Sequence, residues 1–147
     1  MMSDFLENKF LIVPFIVWCC IQLFKFITDL VINRKPNFKR LFGAGGMPSS
    51  HSAAVATLTT LVGKEYGLGS AIFAVSFVFS LIVMYDAAGV RRAAGKQATL
   101  LNKLVENYPN SNIIVTEKLV EVLGHTPFQV LVGAVIGILV GALYGIF

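Results

Sequence analysis

The chain has 147 residues, of which 56% are hydrophobic and only 14% charged, with a formal net charge of +4 and a mean hydropathy of +0.75. Soluble domains run about 45–50% apolar and about 25% charged, so a soluble globular domain is excluded and one membrane-embedded domain over residues 1–147 is expected. The N-terminus lacks a basic start, its apolar run is long and no small-residue cleavage site follows, so no cleavable signal peptide is expected.

Four apolar segments are predicted to span the membrane, at 10–32, 50–66, 68–87 and 127–147. Each approaches the roughly 20 residues that a helix needs to cross about 30 Å of hydrocarbon. The second is diluted by Ser52, Thr57, Thr59 and Thr60. Such hydroxyls are tolerated in a helix surrounded by others, where each bonds back to its own backbone. Between the third and fourth segments lies a polar region, 89–125. Ala98, Leu101, Leu104, Val105 and Tyr108 recur there at helical spacing, opposite Asn102, Lys103 and Glu106. Residues 107–112 read as a turn, and a second amphipathic helix is predicted at 113–123, ended by Gly124. The expected fold is therefore an all-α integral membrane helical bundle, with four transmembrane helices and amphipathic helices in the 89–125 region. There is no internal repeat and no low-complexity tract.

Several features read as structural. Gly133, Gly137, Gly141 and Gly145 form a four-residue ladder. Small residues at that spacing let helices approach closely in lipid. The favoured partner is the small-residue face of the second span (Ser52, Ala53, Ala56, Thr60), and a homo-oligomer seam is the alternative. Cys19 and Cys20 are adjacent inside the first span and suit neither a disulfide nor a metal site. Asp86 and the histidines lack zinc-motif spacing, so no metal and no cofactor are expected. No aromatic-interleaved basic groove is present, so no nucleic acid is expected, and the positive charge is assigned to phosphate headgroups.

Four spans impose a sidedness rule. The end of span one, the start of two, the end of three and the start of four share one face. The unusual polar residues fall there: Lys25, Asp29 and Arg34; Ser49, Ser50 and His51; Asp86, Arg91 and Arg92; His125 and Thr126. The opposite face offers the termini and the turn at 63–67. Basic loops also set orientation in any membrane protein. That rule accounts for much of the loop charge and points to this face as the cytoplasmic one; the expected location is the plasma membrane of a bacterium. The rule does not explain why both histidines stand at helix entrances on the shared face. Lys25 has three readings: an ion pair with Asp29 one turn on, a side chain snorkelling to headgroups, or a functional cation at membrane depth. Asp86 pairs with a following arginine, orients a histidine or holds a metal.

The stretch Gly45-Gly46-Met47-Pro48-Ser49-Ser50-His51-Ser52-Ala53 opens directly into the second apolar segment. A Gly-Gly pair lets the backbone approach a ligand, and Ser49 or Ser50 can cap the helix. The first turn of that helix carries free N–H groups and a positive dipole end, an anion site with His51 inside it.

These residues carry a resemblance. Gly-Gly-Met-Pro-Ser-Ser-His-Ser-Ala, Tyr85-Asp86-Ala-Ala-Gly-Val-Arg-Arg, Ala94-Gly95-Lys96-Gln97-Ala98 with Leu101-Asn102-Lys103, and Leu123-Gly124-His125-Thr126-Pro127 resemble the divergent branch of the type 2 phosphatidic acid phosphatase family. The wider superfamily includes membrane lipid phosphatases and vanadium haloperoxidases. The resemblance implies that Lys25 and Arg34 grip phosphate and that Pro48-Ser49-Ser50-His51 stands for a Pro-Ser-Gly-His motif, with Ser50 in place of glycine. His51 is then the acid for the leaving alcohol. Arg91 or Arg92 is similar to the arginine of the third motif, and His125 to its nucleophile. Gln129 stands where that motif has an aspartate. An amide accepts the imidazole N–H but brings no charge, and the same replacement in a protease triad lowers turnover about ten-thousand-fold. The resemblance leaves Asp86 as a source of the missing charge.

Phosphoryl transfer needs cations around three equatorial oxygens, an in-line nucleophile and an acid for the leaving group. Lys25, Arg34 and Arg91 or Arg92 supply positive charge without metal. A unit charge pair about 5 Å apart is worth roughly 3 kcal/mol at an effective dielectric of 20, against about 0.3–1 kcal/mol for a helix dipole. Bound phosphate therefore decides the protonation of His51. The expected activity is hydrolysis of a phosphomonoester or pyrophosphate on a membrane lipid by a metal-independent, acid-phosphatase-type mechanism. The catalytic set is His125, His51 and Asp86, and the substrate-binding set is Lys25, Arg34, Ser49, Ser50, Arg91, Arg92 and Gln129. The alternatives are a non-catalytic phospholipid- or phosphate-binding membrane protein, motivated by Gln129, and a small-solute transporter subunit, which needs no clustered histidines.

Overall fold

The computed structural model describes residues 2–38, 45–107, 118–121 and 124–145. The described residues form helices and turns with no strand. In chain order the helices are α1 (Met2–Glu7), α2 (Lys9–Asn33), α3 (Ser50–Tyr66), α4 (Ala71–Ala88), α5 (Val90–Asn107) and α6 (Pro127–Leu143).

Each long helix starts where a polar side chain satisfies a free N–H. Asn8 caps α2, Ser49 caps α3, Ser70 caps α4 and Thr126 caps α6. At 25 residues α2 is about 37 Å long, more than the hydrocarbon thickness. Both α2 and the run from Ala71 to Asn107 are long and apolar enough to cross a bilayer, and α6 is a shorter apolar helix. Each of these three presents large apolar side chains outward, among them Phe15, Val75 and Leu131.

The 17-residue α3 is different. It lies in the middle of the bundle and touches α2, α4 and α6. Ala53, Ser52 and Thr57 are fully buried on it, and Leu61 and Val62 nearly so. Its hydroxyls do what the sequence suggests. Thr57, Thr59 and Thr60 donate to the carbonyls of Ala53, Val55 and Ala56 at 2.8–2.9 Å. They also tie α3 to its neighbours. Thr57 reaches the Gly137 carbonyl at 3.1 Å, and Thr59 lies 2.6 Å from the Ser80 hydroxyl.

The glycine ladder meets the small-residue face of α3. A Cβ on Gly133 would collide with the Ser49 carbonyl, one on Gly137 with the Ala53 carbonyl, and one on Gly141 would lie 2.7 Å from Thr60. Gly145 has open space around it and takes no part. The seam is therefore intramolecular for three of the four glycines.

Some boundaries differ from those expected. α4 begins at Ala71 rather than 68, because Ser70 caps it while its hydroxyl donates to the Gly67 carbonyl at 2.8 Å. α6 ends at Leu143, where Lys64 of α3 donates to the carbonyls of Ala142 and Tyr144 at 2.7 and 2.9 Å. The amphipathic helix starts at Val90, directly after Gly89 ends α4. The helix expected at 113–123 and the turn at 107–112 lie mostly outside the described residues. The four described residues 118–121 are not helical. They run along α5, where Asn102, expected on its polar face, is buried and bonds the Leu119 carbonyl and amide at 2.9 and 3.1 Å.

Candidate functional site

The residues of interest gather where the start of α3, the junction of α4 with α5 and the start of α6 meet. Gly45 and Gly46 take φ of 130° and 79°, which side-chain-bearing residues rarely adopt. They bring the chain to Ser49, whose backbone N–H donates to the Gln129 carbonyl at 3.2 Å. The entrances of α3 and α6 are thereby joined, and His51 is set in the first turn of α3.

His125 is placed from two directions. Its backbone N–H donates to the Ala87 carbonyl at 2.9 Å. Gly124, with φ +86°, lies flat against the Arg91–Arg92 peptide, where a Cβ would strike Arg92 N and come within 2.8 Å of Arg91 C. The intervening polar region separates these residues in sequence, but this docking puts the arginines beside the histidine.

The result is a small cavity of about 30 Å³ lined by His51, Asp86, Arg91, Gly124 and His125. That is room for about one water. Asp86 and Arg91 form an ion pair at 2.6 Å, each side chain being over a third exposed. Of the open readings for Asp86, pairing with an arginine is the one observed. Arg91, not Arg92, faces the two histidines. Arg92 instead lines a second cavity of about 310 Å³ with Gly46, Lys96, Glu121, His125 and Gln129. His125 and Gly124 form part of the wall of both.

Lys25 is only 5% exposed. It donates to Gln22 Oε1 at 3.3 Å, and its charge is felt at both histidines. Ser49 and Ser50 are buried and already engaged. Ser49 Oγ accepts from the Ser52 amide and hydroxyl, and Ser50 Oγ donates to Gln22 Oε1 at 3.3 Å. Gln22 thus links Lys25 to the α3 entrance, a role the sequence signals only as an amide buried in an apolar run. Arg34 stands apart. It ends α2 in the left-handed conformation, exposed and more than two turns beyond Lys25.

Gln129 is committed to its own helix. Its Oε1 accepts the Thr126 N–H at 2.9 Å, and its backbone N–H donates to Thr126 Oγ1 at 3.3 Å, a reciprocal capping box. His125 is 3% exposed, and its Nδ1 is buried with no hydrogen-bond partner among the described residues. Burial first, and then the Lys25 cation, hold its pKa below the ordinary 6.5, while the Gln129 side chain and the Gly46 backbone pull the other way. The ring is therefore neutral at neutral pH, the form in which an imidazole is nucleophilic. Among the described residues no group of three His, Cys, Asp or Glu side chains is arranged to hold a metal ion.

An uncharacterized membrane protein of Bacillus subtilis (strain 168), YuiD, is 45% identical over 132 residues, covering 80% of this chain and 82% of that protein. No solved structure matches the chain. Residues 6–140 match the divergent PAP2 family over nearly their whole length, including both histidine-bearing helix entrances. With its helical, apolar build and its relative in a bacterial membrane, the chain belongs to the divergent PAP2 family of membrane proteins.

Proposed function

We propose that the protein is a membrane lipid phosphatase that hydrolyses a phosphomonoester or pyrophosphate headgroup without a metal ion. The observation that carries this reading is that His51 and His125, from distant parts of the chain, line one cavity with Arg91. Lys25, buried on α2, adds a second cation near them.

In this reading His125 attacks phosphorus through its neutral ring. The P–O bond to the lipid breaks as His51 gives a proton to the departing oxygen. A phosphohistidine forms; water then attacks phosphorus as its proton passes to His51, and the N–P bond breaks, releasing phosphate and restoring both imidazoles. Lys25 and Arg91 stabilise the charge on the equatorial oxygens. The substrate enters as the exposed Asp86–Arg91 pair opens, since the cavity itself holds about one water. α2, α3, α4 and α6 form a four-span bundle in a bacterial plasma membrane, with the site near the headgroups on the cytoplasmic side.

A second reading is favoured by one observation. Among the described residues no carboxylate bonds His125 Nδ1, and the Gln129 amide that stands in the expected place brings no charge and also caps α6. A site with the phosphate ligands but without an oriented nucleophile binds a lipid phosphate and does not turn it over.

Phosphate release from a panel of lipid phosphates separates the two. The purified protein is compared with His125→Ala and His51→Ala in the same lipid. Release that disappears in His125→Ala and falls about a hundredfold or more in His51→Ala supports the enzyme. Equal rates in all three proteins discard it.

A further inference from the structure

The second cavity has no part in the reaction just described. Arg92 and Lys96 stand one turn apart on α5 and line it. Among the described residues neither makes an ion pair or a side-chain hydrogen bond. Across the cavity is the first turn of α6, with its positive dipole end at Thr126 and Gln129. Its wall also holds His125, whose Nδ1 is buried and unpartnered. Glu121 is the opposing charge. Its carboxylate is held by Asn102 at 2.8 Å and Thr99 at 3.1 Å. Arg92, Lys96 and Glu121 together leave one net positive charge.

We infer that this cavity is an anion site for a singly charged phosphate-type oxyanion, held by Arg92, Lys96 and the first turn of α6, which supplies beside His125 the negative charge that Gln129 lacks. The argument is one of complementarity. A nucleophilic ring that attacks through Nε2 carries its proton on Nδ1 and becomes cationic as the bond to phosphorus forms. That developing charge is stabilised by an anion held close to the ring. The Gln129 amide beside the ring carries no charge and also serves in a helix cap. Two unpaired cations and a helix N-terminus border the space instead. A net charge of +1 matches a phosphodiester, as in an anionic lipid headgroup, or a free phosphate monoanion. This inference rests on the phosphatase reading for its consequence and not for the binding itself. Arg92 and Lys96 are positioning residues in it, since they act through the bound anion on His125.

The test uses the full chain with its histidines labelled with nitrogen-15. Two inert monoanionic diesters serve as probes: dimethyl phosphate added to protein in neutral detergent, and phosphatidylglycerol added to phosphatidylcholine vesicles. The inference expects the His125 Nδ1 resonance to move with either probe and its protonation midpoint to rise. Movement with both identifies the oxyanion itself as the ligand, and movement with phosphatidylglycerol alone identifies a lipid headgroup. Lys96→Gln should weaken the response, and Arg92→Gln with Lys96→Gln should abolish it while the melting temperature is kept. If the double variant melts early, the single variant and the wild-type titration still decide. A His125 resonance unmoved by both probes in the wild type overturns the inference. So does a response of the same size in a folded double variant.

Turnover gives a second readout. The anion should raise kcat with KM unchanged, and Gln129→Glu, which keeps the helix cap, should make kcat independent of it. If no lipid phosphate is hydrolysed but His125 responds, the anion site stands and the phosphatase reading fails. If phosphate is released but His125 ignores both probes, the reverse holds.

Discussion

The backbone N–H of His125 donates to the carbonyl of Ala87 at 2.9 Å, fastening the entrance of α6 to the end of α4. Gly124 completes the joint by lying against the Arg91–Arg92 peptide. One peptide position thus sets both the histidine and the arginines on either side of it. The site depends on this joint more than on any single helix.

Gly124→Ala should therefore lower stability by about 1–3 kcal/mol, from the left-handed backbone and the collision with Arg92 together. Any phosphatase activity should fall further than stability accounts for, because His125 is displaced. Gly69→Ala is the control, as a Cβ there meets nothing within 4 Å. Thermal melts of both variants in one detergent check this. Equal melting temperatures would remove the joint from the argument.

The seam between α3 and α6 makes a separate prediction. A Cβ on Gly137 would run into the Ala53 carbonyl and lie 2.9 Å from the Ala56 Cβ. Gly137→Ala should force the helices apart and destabilise the bundle by about 1–3 kcal/mol. Gly145→Ala has space around it and should be milder, although its φ of +79° adds backbone strain. Unfolding in mixed detergent would compare the two.

Burial holds the His125 pKa below 6.5. Below pH 6.5 the unfolded chain binds a proton that the folded chain does not, so acid favours unfolding. The stability present above pH 6.5 declines as pH falls from there through the lowered folded value. His125→Asn should flatten that part of the stability–pH curve. Under the proposed phosphatase reading, the neutral nucleophile should persist somewhat to the acid side of 6.5. Melts from pH 7.5 down to about pH 5, where an ordinary histidine is protonated, check the sign, and a wild-type curve no steeper than the variant's contradicts it.

Asp86 holds Arg91 in an exposed pair at 2.6 Å. Exposed pairs are worth about 0–1 kcal/mol, so Asp86→Asn should leave the melting temperature nearly unchanged. It should free the guanidinium for phosphate and lower KM for a lipid phosphate several-fold. A large loss of kcat in Asp86→Asn would instead place the carboxylate in the chemistry itself.

Much of the scaffold is legible along the chain because its causes are local. Apolar length marks α2, α4 and α6, a serine or threonine stands at the cap of α3, α4 and α6, and the glycine spacing announces a close helix contact. The threonines of α3 announce a helix enclosed by others, since hydroxyls at such depth need the backbone behind them. The grouping of polar residues at one end is what the alternating direction of the proposed four spans leads one to expect.

What tertiary structure alone decides is which side chain faces which space. Arg91 and Arg92 are neighbours on one helix and so point roughly 100° apart; that one lines a space with His51 and the other a space with Lys96 is set by the docking of Gly124 and His125 against them. Gln22 joins Lys25 to Ser50 only because α2 lies against α3. Residue order carries local propensity, whereas the partners of a buried polar atom are fixed by the packing that excludes water from it.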